Sequence, residues 1–473
     1  MHYVKWLTCS CLCLMLCSCP RTMVRSTVRH VIFISLDTTR PDHIGCYGNS
    51  WISTPNLDRL AAESILFTNY MTVVPTTLPS HTSLFTGKYP HRHGNPQNGY
   101  MVDRANVMLP EILKSAGYKT MGFIGSFALD SRFDFSQGFD FYEQSYDRFV
   151  GDGKLTEHER SAHSVTQSVI SHINALPSLQ PLFLFVHYFD PHKPFEPPPP
   201  YDRMYRWDGA ESASPGEQIT VSYSCPHSLS DENWQLSKKA ALGYAGEISY
   251  MDHHLGNLLD YLKQKGMLDD AILVVTSDHG ENFWEHMPYF HHGTSLYQTS
   301  MHAVCMIRLP AGVHGGTIVN KPLSSIDILP ALLQYLRLSV PDGIDGTAFD
   351  LNKCAASVGD RVLYGQATMT SPWKVPDVSS GWQHSNKARC VRMGNLVYLQ
   401  TPFAGSEELY DLSADPNEQH NLLRSPSPQI ASVARELKQK LEIWAASADP
   451  LESYPEREKR QETMEKLKAL GYL

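Results

Sequence analysis

Nowhere in these 473 residues does a block of like charges run far enough to grip a phosphate backbone or an anionic membrane, and the formal charge is only −9. A nucleic-acid ligand is therefore not expected. No apolar run reaches the roughly 20 residues that a permanent membrane helix needs. Closely spaced cysteines are missing from the body of the chain: of ten in all, Cys9, Cys11, Cys13, Cys17 and Cys19 crowd the N-terminal end, while Cys46, Cys225, Cys305, Cys354 and Cys390 are scattered. That pattern excludes a disulfide framework or a zinc knot and allows at most one or two bridges, with buried free thiols the plain expectation. Internal repeats are absent too.

What is present is ample apolar material, 42% of the residues, enough for one large core and a smaller one. Lys5 followed by the apolar run Trp6 to Leu16 reads as a secretion signal over 1–19. The tetrad Leu16-Cys17-Ser18-Cys19 is similar to a bacterial lipobox, in which a lipidated Cys19 would attach the exported protein to a membrane. An ordinary cleaved signal with incidental cysteines fits equally. A periplasmic, membrane-anchored or secreted protein is expected in each case.

Past the leader, His30 to Leu36 is a β-branched apolar run ending at Asp37, the pattern of a strand buried on both faces. Further runs at Thr120 to Ile124, Leu182 to Val186 and Ile272 to Val275 alternate with helical stretches: one capped by Thr54-Pro55, one opened by Pro110 and ended by Gly117, and one over Lys238 to Leu262. This alternation predicts an α/β sandwich with a central, mostly parallel sheet. Ligands of such sheets collect at the carboxyl ends of strands. Three runs lead there into ligand-type residues: Asp37-Thr38, Asp190-Pro191-His192 and Asp278-His279. The proline-rich Pro194 to Pro200 and the polar Asp208 to Asn233 read as surface loops. From about Val362 short strands alternate with turns ahead of an amphipathic helix from Gln429 to Ala446, predicting a smaller C-terminal α+β subdomain over 361–450 after a catalytic domain over 28–360. The charged 451–473 reads as a solvated helix or tail.

The chemistry concentrates in Pro75-Thr76-Thr77-Leu78-Pro79-Ser80-His81-Thr82-Ser83-Leu84-Phe85-Thr86-Gly87. With Pro79 in a first turn, Thr77 would stand just ahead of a helix whose free N–H groups face its hydroxyl. Alone, such a Thr-x-Pro is more simply a helix cap. In register, however, it resembles the signature of the sulfatase family: Cys or Ser, any residue, Pro, any residue, Arg, then a small-residue helix ending in Thr-Gly. Further motifs carry the resemblance along nearly the whole mature chain. These are Asp37-Thr38-Thr39-Arg40-Pro41-Asp42, Cys46-Tyr47-Gly48, Thr54-Pro55-Asn56-Leu57-Asp58-Arg59-Leu60, Asp190-Pro191-His192-Lys193-Pro194, Ser277-Asp278-His279-Gly280-Glu281, His292-Gly293 and Glu408-Leu409-Tyr410-Asp411-Leu412.

The resemblance implies an alkaline-phosphatase-like fold and hydrolysis of a sulfate or phosphate ester, on a small molecule or a saccharide. It implies that Asp37, Thr38, Asp278 and His279 hold one divalent cation, calcium being the family's usual ion, with magnesium, manganese or zinc also compatible. Thr77 becomes the nucleophile and His192 the residue assisting the leaving group. His292 becomes the contact to anionic oxygens, and His81 stands in the signature's Arg position. For His286, His291, His253 and His254 a plain hydrogen-bonding or solvent-facing role is preferable. Departures from the pattern are informative. Threonine at 77 cannot be oxidised to the formylglycine aldehyde of sulfatases, and it is the nucleophile of phosphodiesterase relatives. Thr38 replaces the common second Asp, and a Lys-x-His pair is missing near Ser126. A second metal would need a His one turn after Asp252, where Gly256 stands, so Asp252 reads as structural. Two rival readings follow: a phosphodiester, phosphonate or phosphotransfer enzyme on the same scaffold, and a non-catalytic binding lipoprotein with a degenerate site.

Overall fold

The computed structural model describes residues 28–146, 148–149, 155–156, 159–177, 180–207, 219–221, 230–286, 292–353, 358–368, 387–447 and 460–469. The leader with Cys19, along with His291, Cys225 and Cys354, lies outside the described residues. Cys46, Cys305 and Cys390 are free thiols.

The central sheet contains β1 (His30–Leu36), β2 (Ile65–Phe67), β3 (Lys119–Phe123), β4 (Phe141–Glu143), β5 (Leu182–Tyr188), β6 (Ala271–Thr276), β7 (Cys305–Arg308) and β8 (Thr317–Val319). Their spatial order is β8-β2-β7-β6-β1-β5-β3-β4. Pairings are parallel except those of β7, which runs against both β6 and β2. The longer helices are α1 (Pro55–Ala62), α2 (Thr77–Thr86), α3 (Leu109–Ser115), α4 (Ala162–Ala175), α5 (Asp231–Gln264), α6 (Ile328–Leu336), α7 (Pro428–Ala446) and α8 (Arg460–Ala469).

Strand β1 shows why the sheet is covered on both sides. All its residues are buried, and alternate ones enter different cores. Val31 and Phe33 meet Leu84 and Phe85 of α2, Leu113 of α3 and Leu332 of α6. Ile32 and Ile34 meet Leu57 of α1, Val165 of α4 and Leu255 of α5. The α/β sandwich expected from the alternation is the observed one.

A second, antiparallel sheet consists of β9 (Val362–Gln366), β10 (Arg389–Met393), β11 (Leu396–Thr401) and β12 (Ser406–Asp411). Leu437, Leu441 and Trp444 of α7 pack against its Val391, Tyr398 and Leu409. Two local expectations differ from the structure. Helix α5 begins at Asp231, capped by the Ser230 side chain, so the end of the polar stretch is helical rather than loop. Helix α8 is not fully solvated either: Leu467 is buried in the main core, and the Lys466 ammonium sits 5.3 Å from the Phe127 ring centroid.

Candidate active site

Three neighbouring strands, β6, β1 and β5, end side by side, and the site grows from their carboxyl ends. Ser35 is level with both His187 and Thr276. The ladder continues one step further, Asp37 N–H donating to the Tyr188 carbonyl at 2.9 Å. Asp278 and His279 follow β6 directly, held by Ser277, whose N–H and Oγ bond Val304 at 3.1 and 2.7 Å. Ligand atoms of Asp37, Asp278 and His279 all lie within 4.8 Å of one another, and all three residues are buried.

The donor set fits a hard or borderline divalent cation. Asp37 Oδ1, Thr38 Oγ1, Asp278 Oδ2 and His279 Nε2 are buried without a hydrogen-bond partner among the described residues. Burial, and then the neighbouring Asp278 carboxylate, push the Asp37 carboxyl well above its usual range. A positive charge between them would relieve both causes. Thr38 adopts φ 50°, a left-handed conformation that a β-branched residue rarely tolerates. Its N–H donates to Asp278 Oδ1 at 3.2 Å and its carbonyl accepts from the Tyr244 hydroxyl at 2.7 Å.

Helix α2 supplies the candidate nucleophile. Thr77 is its first residue, with Thr76 as the cap position, so Thr77 lies one step further into the helix than the Thr-x-Pro pattern implied. The next N–H, that of Leu78, is taken by Asn98 Oδ1 at 2.9 Å. All ten residues of α2 are buried, which obliges its polar side chains to pair. Ser80 Oγ donates to the Asp278 carbonyl at 2.8 Å, binding the helix to the metal-type cluster. His81 does the same from the next position: Nδ1 lies 2.7 Å from the Thr77 carbonyl and 3.7 Å from Asp278 Oδ2, and Nε2 lies 2.8 Å from Ser35 Oγ. Burial lowers its pKa to about 4, so at neutral pH His81 is a neutral strut where the family signature has a cation.

The other histidines divide clearly. His292 Nδ1 is 3.0 Å from Glu281 Oε2, and its ring centroid is 4.5 Å from that of His279 and 5.3 Å from that of His192. His192 stacks on Phe189 with Nδ1 2.8 Å from the Lys193 carbonyl, and burial holds it well below the ordinary imidazole range. The structure therefore brings Asp37, Thr38, Asp278, His279, His81, His192 and His292 into one region with the start of α2. It leaves the remaining described candidates outside. His286 stacks on Tyr297 at 3.6 Å, and His253 and His254 lie against each other and against Tyr201 and Tyr250 respectively. Asp252 accepts from Asn56 N–H, Asn56 Nδ2 and Leu57 N–H at 3.1, 2.9 and 2.7 Å, so it caps α1. A side chain on Gly256 would start 2.4 Å from the Asn56 side chain, which explains glycine where a second metal would require histidine.

Two residues escaped the sequence reading. His187 Nε2 lies 3.1 Å from Asp37 Oδ2, with a pKa lowered to about 4 by burial. A lone imidazole just inside the end of an apolar strand was its only signal. Glu281 orients His292 and stands in a motif already quoted, but nothing in the spacing assigned it a partner.

The fold and this cluster define the alkaline-phosphatase-like class of ester hydrolases, with sulfatases on one branch and phosphonate and phosphodiester enzymes on another. Residues 29–338 match the Sulfatase family model and residues 285–447 match that of the N-sulphoglucosamine sulphohydrolase C-terminal domain. The chain belongs to the Sulfatase family. It is 24% identical to an arylsulfatase of Clostridium perfringens (strain 13 / Type A), covering 84% of this chain and 90% of that one. It is also 24% identical to an N-acetylglucosamine-6-O-sulfatase of Bacteroides thetaiotaomicron, covering 91% and 88%. In fold it is similar to a phosphonate monoester hydrolase of Agrobacterium radiobacter, with TM-score 0.69, 22% identity and coverage of 89% and 96%. A structure solved with its substrate D-glucosamine-2-N,6-O-disulfate gives 0.68, 20%, 89% and 98%.

Proposed function

We propose that the chain hydrolyses a sulfate monoester with Thr77 as nucleophile beside one calcium-type cation held by Asp37, Asp278 and His279. The observation that carries this reading is the buried cluster of unpartnered ligand atoms tied through Ser80 and His81 to the helix that begins at Thr77. A bound cation would neutralise charge on the transferring group and lower the pKa of a nearby hydroxyl. The chain's own residues do the rest. The N-terminal end of α2 offers a positive dipole to an anion. Thr77 Oγ bonds to sulfur in line as the sulfur–oxygen bond to the alcohol breaks, the hydroxyl proton passing to the departing alcohol oxygen beside His192, which assists that departure, and His292, oriented by Glu281, contacts the anionic oxygens. Water then attacks the sulfur of the Thr77 ester, because threonine lacks the aldehyde that would expel sulfate by collapse. The names of two relatives, N-acetylglucosamine-6-O-sulfatase and N-sulphoglucosamine sulphohydrolase, support a saccharide as the alcohol portion, met after export.

Threonine at 77 favours a second reading, hydrolysis of a phosphonate or phosphodiester monoanion. The two separate on matched nitrophenyl esters of sulfate, phosphate and phosphonate. The sulfatase reading predicts the highest kcat/KM on the sulfate ester, and a higher value on the phosphonate ester would replace it. Loss of all turnover after chelation, restored by calcium, supports the cation in both.

A further inference from the structure

Tyr244 lies on α5, fully buried, and its hydroxyl closes the turn that follows β1. The hydroxyl oxygen accepts from the Arg40 N–H at 2.9 Å and donates its proton to the Thr38 carbonyl at 2.7 Å, so one side chain clasps the two backbone groups that flank Thr39. The turn needs such a clasp. At φ 50° the branched Cβ of Thr38 crowds its own backbone, and a threonine without outside support leaves that region.

The left-handed turn decides how Asp278 is held. It sets the Thr38 N–H 3.2 Å from Asp278 Oδ1, an oxygen that also accepts from the His279 N–H at 2.9 Å. With Oδ1 taken by two backbone donors, Oδ2 is the oxygen left for a cation, and it lies 3.3 Å from His279 Nε2. Thr38 Oγ1 is buried in the same turn without a hydrogen-bond partner among the described residues. Because φ is the rotation between a residue's N–H and its Cα substituents, a Thr38 relaxed to negative φ could not keep both its N–H on Asp278 and its hydroxyl in place. The Tyr244 ring also reaches the loops after the other two strands. Its centroid is 4.9 Å from that of Phe283, shortly after Glu281, and 5.7 Å from that of Phe195, shortly after His192. Helix α5 approaches so closely through Gly243, where an added Cβ would collide with the Phe195 carbonyl.

We propose that Tyr244 is a positioning residue of the cation site: its hydroxyl holds Thr38 in the left-handed turn and, through Thr38, fixes which oxygen Asp278 presents to the ion. The inference rests on the cation reading of the Asp37, Asp278 and His279 cluster. It adds to that cluster a residue acting through another residue's backbone.

Tyr244→Phe deletes only the hydroxyl and keeps the ring. Chelator-treated full-length protein is titrated in a calorimeter with calcium, magnesium, manganese and zinc, and the ion that wild type binds most tightly is used throughout. Tyr244→Phe should bind it about tenfold to a hundredfold more weakly, the range for losing an outer partner of a metal site. Thr38→Asn should remove this dependence, since asparagine enters left-handed turns readily and keeps an oxygen for the ion. In that background Tyr244→Phe should leave affinity within about twofold, because both changes act on one turn. Thermal melts of the metal-free proteins identify the folded variants, and if Tyr244→Phe alone does not fold, the comparison within Thr38→Asn decides. Wild-type affinity in a folded Tyr244→Phe, or a tenfold or larger loss in the Thr38→Asn background, overturns the role. A wild type that binds none of the four ions removes the cation reading itself, and the role of Tyr244 with it.

Discussion

At the scale of single residues, the site shows how burial converts ordinary side chains into supports. His187 cannot act as a surface imidazole would, since it is enclosed and held neutral beside Asp37. Removing it as His187→Ala should lower calcium affinity by about 10–100-fold, the usual loss when a partner of a metal ligand is deleted. Titration of chelator-treated protein with calcium measures this, and an unchanged affinity would mean that Asp37 needs no such partner. His81 has a different task. His81→Ala strips Ser35 Oγ and the Thr77 carbonyl of a partner in a buried setting, which should destabilise the fold by about 2 kcal/mol in a urea melt. An exposed or dispensable His81 would give no measurable change.

At the scale of elements, α1 and α2 are both controlled from outside their own sequence. Helix α1 is capped by Asp252 of α5, and burial raises that carboxyl to about 6 against the pull of its three hydrogen bonds. Asp252→Ala should cost about 1–2 kcal/mol of stability and leave metal stoichiometry unchanged. Elemental analysis finding less metal in the folded variant would give Asp252 the ligand role that Gly256 argues against. The strands β1, β5 and β6 were legible because each is a short apolar run, β-branched in β1 and β6 and rich in Leu and Phe in β5, that leads into ligand-type residues. The cap on α1 was not, because its donor and acceptor lie 196 and 195 positions apart and no local pattern links them. The same limit hid the contact of Thr368 Oγ1 with Thr76 Oγ1, 2.8 Å apart at the start of α2 and separated by 292 positions. The start of α5 at Asp231 was obscured by a polar stretch whose Ser230 cap reads equally well as a turn.

At the scale of the whole molecule, ordered motifs made the family resemblance legible, and long-range packing decided what each motif touches. One buried group links the turn that follows β12 to the segment that precedes β7. Glu418 accepts from the Gln298 N–H at 2.6 Å, and burial, with Glu408 nearby, raises its pKa to about 8. An acid whose folded pKa is raised stays protonated while the unfolded chain ionises, so stability falls as pH rises from about 4.5 to about 8. Glu418→Gln removes this dependence. Thermal melts should show the wild type losing stability relative to the variant across that window, and parallel curves would contradict the assignment.

The central claim is that Thr77 reacts while the buried Asp37, Asp278 and His279 cluster holds the cation. Its most direct measurement is turnover of nitrophenyl sulfate by calcium-loaded wild type and Thr77→Ala, with metal content determined on the same samples. The account predicts equal metal in both proteins and a fall in kcat on the order of 10⁴-fold in the variant. Equal metal with undiminished turnover would contradict it.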